Sequence, residues 1–181
     1  MHLTTHASGG PFIMNRDPNH ETHTISVYVT NRPGVLARIA LVFARRGYNI
    51  ESLVVSPVVD THFSRMTITL KGHPDGLDQV IAQTSKLVDV IRCVEHTGED
   101  SVVREMALVK IAVAESERTA ALQIAEHFGA KTVDLTENSM ILQAVGTSEK
   151  LDAMIRLLER FRIIELVRTG KVVMVRGDQM T

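Results

Sequence analysis

A single cysteine, Cys93, stands in 181 residues, so no disulfide can close within the chain and no multi-cysteine metal site can form. Reduced, intracellular conditions fit that usage. No sign of charge dominates either. Lysine and arginine total 20 against 21 aspartates and glutamates, a net charge of −1. This leaves neither the basic excess of a nucleic-acid binder nor a polybasic run for a membrane surface. No apolar run reaches the roughly 18–20 residues that a membrane span needs. The first residues also lack the continuous apolar core of a secretion signal, so a cytoplasmic protein is expected. What is present is an ordinary globular balance of 44% hydrophobic and 23% charged residues. Residues 1–22, rich in Ser, Gly, Pro, Asn and His, read as a flexible N-terminal arm. Its His2, His6 and His20 are irregularly spaced and lack acidic or thiolate partners, which suits a solvated tail better than a metal site.

Regular patterning begins at Thr24. Residues 24–30 alternate, with Ile25, Val27 and Val29 on one face, the period of a half-buried strand. Asn31-Arg32-Pro33-Gly34 is a turn, after which Leu36, Ile39, Ala40 and Phe43 form a helical stripe ending near Gly47. Residues 50–59 and 63–70 read as a hairpin joined by Asp60-Thr61-His62. Leu77, Val80 and Ile81 open a second helix, and residues 90–95 give a fourth strand. The same order then returns. Residues 108–113 form a strand; Ala121, Ile124, Ala125 and Phe128 form a helix stopped by Gly129; residues 131–135 and 140–145 form a hairpin around Glu137-Asn138-Ser139. Leu151, Met154, Ile155 and Leu158 mark the last helix, and residues 163–167 the last strand.

Each half is thus a βαββαβ, ferredoxin-like unit, and the fold class is α+β with two such units in tandem. Residues 44–53 resemble 125–135, and Leu77-Asp78 leading to Thr97-Gly98 resembles Leu151-Asp152 leading to Thr169-Gly170, which supports duplication. The units span residues 23–98 and 103–178, with the joint in the polar Gly98-Glu99-Asp100-Ser101. A unit of about 75 residues buries little of its chain and is marginal alone. Its two helices cover one sheet face, so the other face and the edges call for partners.

The Asn31–Leu36 turn carries the candidate chemistry. It opens a helix, whose first N–H groups have no intrahelical acceptor and, with the helix dipole, favour a carboxylate or phosphate. Pro33 costs nothing there, Gly34 admits a ligand close to the main chain, and Asn31 supplies both a donor and an acceptor, as a zwitterion requires. On spacing alone an ordinary strand-to-helix turn is the simpler reading. The equivalent turn of the second unit, Ala114-Glu115-Ser116-Glu117-Arg118, has neither Pro nor Gly and carries acidic side chains that would repel a carboxylate.

Asn31-Arg32-Pro33-Gly34-Val35-Leu36, the string Gly47-Tyr48-Asn49-Ile50-Glu51-Ser52-Leu53 and Ser64-Arg65-Met66-Thr67-Ile68 closely resemble the ACT domain of acetolactate synthase small subunits. Residues 86–90, 108–111 and 146–152 extend the likeness into the second, diverged ACT-like unit, so that it covers about 23–178. The resemblance implies a non-catalytic regulatory chain with no cofactor and no metal of its own. Its partner would be the thiamine-diphosphate-dependent catalytic large subunit, which it activates and makes sensitive to valine. It further implies a homodimer whose first units pair side by side. Asn31, Gly34, Val35 and Leu36 of one chain would hold the amino acid, and Asn49, with Ile50 beside it, would reach it from the other. The second unit would serve the catalytic subunit. Arg32 departs from the acidic residue common in the family and adds a cation near the site.

Other readings are weaker. Acylphosphatases share the fold and use an Arg and an Asn, but Asn31 and Arg32 are adjacent on one turn and the phosphate-cradling loop of that family is absent. An amino-acid-responsive transcription factor would need a helix-turn-helix, which no segment supplies. Arg45 and Arg46 read as a solvated helix face and Cys93 as a small buried thiol. His62, His73, His96 and His127 are scattered one to an element, without ligand spacing.

Overall fold

The computed structural model describes residues 21–96 and 100–181, apart from the side chains of Glu21 and Pro74. The arm and its histidines His2, His6 and His20, and the Thr97-Gly98-Glu99 part of the joint, lie outside the described residues.

The first half comprises β1 (Glu21–Thr30), α1 (Val35–Arg45), β2 (Asn49–Pro57), β3 (Phe63–Gly72), α2 (Leu77–Ser85) and β4 (Val90–Glu95). The second comprises β5 (Ser101–Ala112), α3 (Arg118–His127), β6 (Lys131–Leu135), β7 (Ser139–Gly146), α4 (Ser148–Leu158), β8 (Arg162–Arg168) and a further strand, β9 (Val172–Val175). The two sheets share one antiparallel plan, ordered β2-β3-β1-β4 and β6-β7-β5-β8. This is the expected α+β repeat.

Alternation explains each core. Ile25, Val27 and Val29 of β1 and Met66, Ile68 and Leu70 of β3 face Val35, Ile39 and Phe43 of α1, spaced one turn apart, and Val80 of α2. Ala107, Val109 and Ile111 of β5 meet Met140 and Leu142 of β7 and Leu151, Met154 and Leu158 of α4 in the same way. Both leading helices end at a glycine with positive φ, Gly47 at +76° and Gly129 at +65°, where a left-handed residue lets the chain reverse without a Cβ clash.

Three features differ from the sequence reading. β1 opens at Glu21, three residues earlier than expected, and pairs with β3 from Glu21↔Gly72 onward. β5 is twelve residues long, opening at Ser101 inside the expected joint rather than at Leu108, and includes Arg104-Glu105. Its first part, Ser101–Arg104, pairs with β9, a strand the sequence pattern did not announce.

β9 also changes what covers the first sheet. On the face away from α1 and α2, Thr24, Ser26, Thr67 and Thr69 are buried despite their polarity. Val172, Val173, Met174 and Met180 share a cleft of about 650 Å³ with Tyr28, Val54, Arg65 and Thr67. A Cβ at Gly170 would lie 2.9 Å from Val54 and 3.1 Å from the Ser52 Oγ. Arg65 and Arg92 donate to the Thr181 and Met180 carbonyls at 3.3 and 3.0 Å. The cover that one sheet face was expected to need from another chain is therefore supplied in part by the chain's own second half.

Candidate functional site

The turn between β1 and α1 is fixed from two sides. Asn31 N–H donates to the His62 carbonyl at 2.7 Å and the Asn31 carboxamide donates to the Thr61 carbonyl at 3.0 Å, tying the turn to the β2–β3 connection. The amide nitrogen is thereby committed, and Oδ1 is the part of that side chain left for a ligand. Gly34 caps α1 at φ +81°. Arg38 N–H closes the first helical bond, to the Gly34 carbonyl at 3.1 Å, while Val35 N–H makes a long 3.5 Å contact to Arg32. The N–H groups of Leu36 and Ala37 have no acceptor among the described residues, as the first turn of a helix requires. No acidic side chain sits in that turn. The result is an exposed pair of donors at the positive end of an eleven-residue helix.

Cations reinforce it. The Arg38 guanidinium lies 3.2 Å from where a Gly34 Cβ would be and 2.5 Å from Asp89 Oδ2. Asp89 also accepts from Thr30 Oγ1 at 3.1 Å, and the Thr30 N–H donates to the Asp89 carbonyl at 2.9 Å. The Arg38 hydrogen bond, helped by Thr30 and the charges of Arg38 and Arg32, holds the Asp89 carboxyl below its usual range against some desolvation. With Arg32 beside it, the turn carries two guanidiniums around one neutralised carboxylate. The Arg38–Asp89 pair escaped the sequence reading. Arg38 stands four residues after Gly34, one turn up the exposed face of α1, but its partner is fifty-one residues away and nothing local announces it.

Of the expected contact residues, Asn31, Gly34 and Leu36 are exposed around this turn, whereas Val35 is buried in the core. Only the Val35 main chain is available to a ligand. Asn49 and Ile50 lie elsewhere. β3 registers Phe63 against Thr30 and Lys71 against Asn49, so eight residues of strand separate the two places. At about 3.3 Å per residue that is roughly 25–30 Å, far beyond the span of one amino acid. Asn49 is presented by its neighbours: Gly47 reverses the chain, and Tyr48 buries its ring against Gly72 and donates to the His73 carbonyl at 2.5 Å. The exposed Asn49 carboxamide then donates to Glu51 Oε1 at 2.7 Å.

The corresponding turn of the second unit is closed on itself. Glu117 accepts from Ala114 N–H at 3.3 Å, and Arg118 donates to the Thr136 and Glu137 carbonyls at 3.1 and 2.5 Å. Two open clefts, of about 590 and 650 Å³, run along the seam between the halves, and none of the six expected contact residues lines either. Among the described residues no group of three or more His, Cys, Asp and Glu side chains converges on one point. Burial pushes the Cys93 thiol up to about 12, which keeps it protonated and unreactive.

Comparison with known proteins matches both halves. Residues 104–177 fit a family described as the small subunit of acetolactate synthase, and residues 25–92 fit an AHAS small subunit-like ACT domain. The chain is 42% identical over 158 residues to the acetolactate synthase small subunit of Mycolicibacterium smegmatis, covering 87% of this chain and 93% of that one. It is 43% identical over 157 residues to the probable acetolactate synthase small subunit of Archaeoglobus fulgidus, covering 87% and 98%. The crystal structure of the acetolactate synthase small subunit from Thermotoga maritima superposes with a TM-score of 0.78 at 35% identity, covering 88% of this chain and 99% of that one.

Proposed function

Because the chain belongs to the family of acetolactate synthase small subunits, we propose that it binds a branched-chain amino acid between the first units of two copies. It is a regulatory, non-catalytic chain, and its family partners a catalytic large subunit. The finer reading is feedback inhibition by valine together with activation of that large subunit, in the cytoplasm, by a homodimer.

One observation carries the reading: the free Leu36 and Ala37 N–H groups, flanked by guanidiniums, lie roughly 25–30 Å along the sheet from Asn49. The two half-sites cannot share a ligand within one chain, but two copies aligned antiparallel bring the turn of each beside the Asn49 of the other. Leu36 and Ala37 N–H take the carboxylate, Asn31 and Asn49 carbonyl oxygens accept from the ammonium, and Leu36 and Ile50 cover the aliphatic side chain. A half-site on each chain also explains why the clefts of the single chain avoid these residues. Residues 23–98 then form the amino-acid-binding unit. Residues 103–178, whose turn is already closed by its own side chains, serve the catalytic subunit.

Calorimetric titration of valine, leucine and isoleucine into the isolated protein tests this, alongside the activity of the large subunit with and without it. Saturable binding led by valine, and a stimulated enzyme that valine inhibits, are expected. Binding of none of the three overturns the site, and saturable binding by a sedimenting monomer overturns its shared construction.

A further inference from the structure

The shared site leaves one charge without a counterpart. An amino acid brings an ammonium as well as a carboxylate, yet the turn is cationic throughout: the α1 N-terminus, Arg32 and Arg38. Its own carboxylate, Asp89, is taken by Arg38 and Thr30. Asp60, in the adjoining connection, accepts from the His62 main chain and ring at 3.0 and 2.7 Å. Neither carboxylate beside the turn is therefore uncommitted for the ammonium.

We propose that Glu51 of the facing copy is the ammonium's anion, a ligand-binding residue that sets the preference for amino acids over other branched carboxylic acids. The proposal rests on the shared site described above. Glu51 sits at the point where the β2–β3 register shifts, between Ile50 and Ser52, the kind of bulge that re-aims a side chain from the regular pleat. It is exposed and forms no ion pair among the described residues. Its one recorded bond is the 2.7 Å contact from the Asn49 carboxamide nitrogen. That bond orients both groups. With its nitrogen bonded to Glu51 Oε1, Asn49 has its carbonyl oxygen, and Glu51 its second carboxylate oxygen, left to accept from a ligand. Two acceptors and a full negative charge then sit side by side, matched to a cation with three N–H donors. A hydroxyl in that place gains at most one hydrogen bond and no ionic attraction, and an anionic end is repelled.

The test compares L-valine with 2-hydroxy-3-methylbutanoate, which keeps the carboxylate and branched chain but replaces the ammonium with a hydroxyl. Both are titrated into the intact wild-type protein, Glu51→Gln and Asn49→Ala. Glu51 is exposed and glutamine has its shape, so the fold is retained and a thermal melt verifies this. A charge-assisted bond lost at this position corresponds to about 10- to 100-fold in affinity. Glu51→Gln should weaken valine by that factor and leave the hydroxy acid within about twofold, collapsing the preference between the two ligands. An equal fall for both ligands would assign Glu51 a merely structural role and overturn the proposal. Unchanged valine binding in Glu51→Gln, with loss in Asn49→Ala, would overturn the role of Glu51 and leave the shared site standing. Wild-type protein that binds no valine would overturn the site and Glu51 together.

Discussion

At Gly34 the backbone turns through φ +81°, a conformation that costs most L-residues about 1–2 kcal/mol and that aspartate tolerates better than most. The sequence suggests why glycine is useful here, as open space for a ligand, but the dihedral is invisible to it. A Gly34→Asp change looks from sequence like a replacement the fold absorbs, since aspartate suits a helix start. The structure adds strain and an Arg38 nitrogen 3.2 Å from the new Cβ. Gly34→Asp should therefore lose valine binding and also lower the free energy of unfolding by about 1 kcal/mol. Gly34→Ala should share most of the instability without the repelling charge. A melt and a calorimetric titration on both variants separate strain from repulsion, and intact valine binding by Gly34→Asp would misplace the site. Nearby, Asp89 gives a pH-dependent expectation. Its carboxyl titrates below the ordinary value of 3.8 when folded, so the unfolded chain binds the proton first as pH falls. Its stabilising contribution is complete above that ordinary value and is lost as pH falls through the lower, folded one. Chemical denaturation of Asp89→Asn should show reduced stability near pH 7 and a gap from wild type that closes in strong acid; a gap constant across that range would mean the carboxylate charge is irrelevant.

Elements were legible where a face is apolar and regular. β4 and β6 fall on residues 90–95 and 131–135, as the alternation indicates, and the two helical stripes of each half are where the spacing puts them. What the pattern hid is the part of the chain stabilised by distant charges. Arg104 and Glu105 are charged residues just after the polar joint, yet Glu105 is buried in β5 because two groups answer it. Arg168 donates at 2.6 Å, the Ser148 hydroxyl donates as well, and Arg168 also reaches Asp152 at 2.5 Å. Burial alone would push the Arg168 guanidinium down, but the bonds to Glu105 and Asp152 outweigh it and hold it protonated. β9 was hidden for a different reason. Four residues are too few to show a period, and their neighbours are found only by folding. Arg168→Met should strand the Glu105 carboxylate and cost about 3–5 kcal/mol in urea denaturation, whereas Arg168→Met with Glu105→Leu should recover much of that loss. Equal damage in single and double variants would show that the network is not the cause.

For the whole molecule, the tandem repeat could be read from order alone, but the site could be read only as two fragments. Asn31–Leu36 and Asn49 are each recognisable in sequence; that they point to opposite ends of one sheet follows from the β3 register. A site divided this way predicts complementation. Neither Gly34→Asp nor Asn49→Ala chains should bind valine well alone. After the two are mixed and allowed to exchange subunits, half of the dimers are mixed and each holds one intact site, so roughly a quarter of all sites should return. No recovery after verified exchange would place both residues in the same chain's site.

The position of β9 also orders events during translation. The first unit leaves the ribosome with all its strands, but the strand that lies over its Thr67 and Val54 face is encoded after the entire second unit. At ordinary elongation rates the wait is on the order of 4–15 s, longer than a small domain takes to fold. For that interval the nascent chain displays a folded unit with one open face, available to chaperones or to a neighbouring nascent copy. A chain arrested before Val172 would keep it open, so the first unit is closed only after the second has been made.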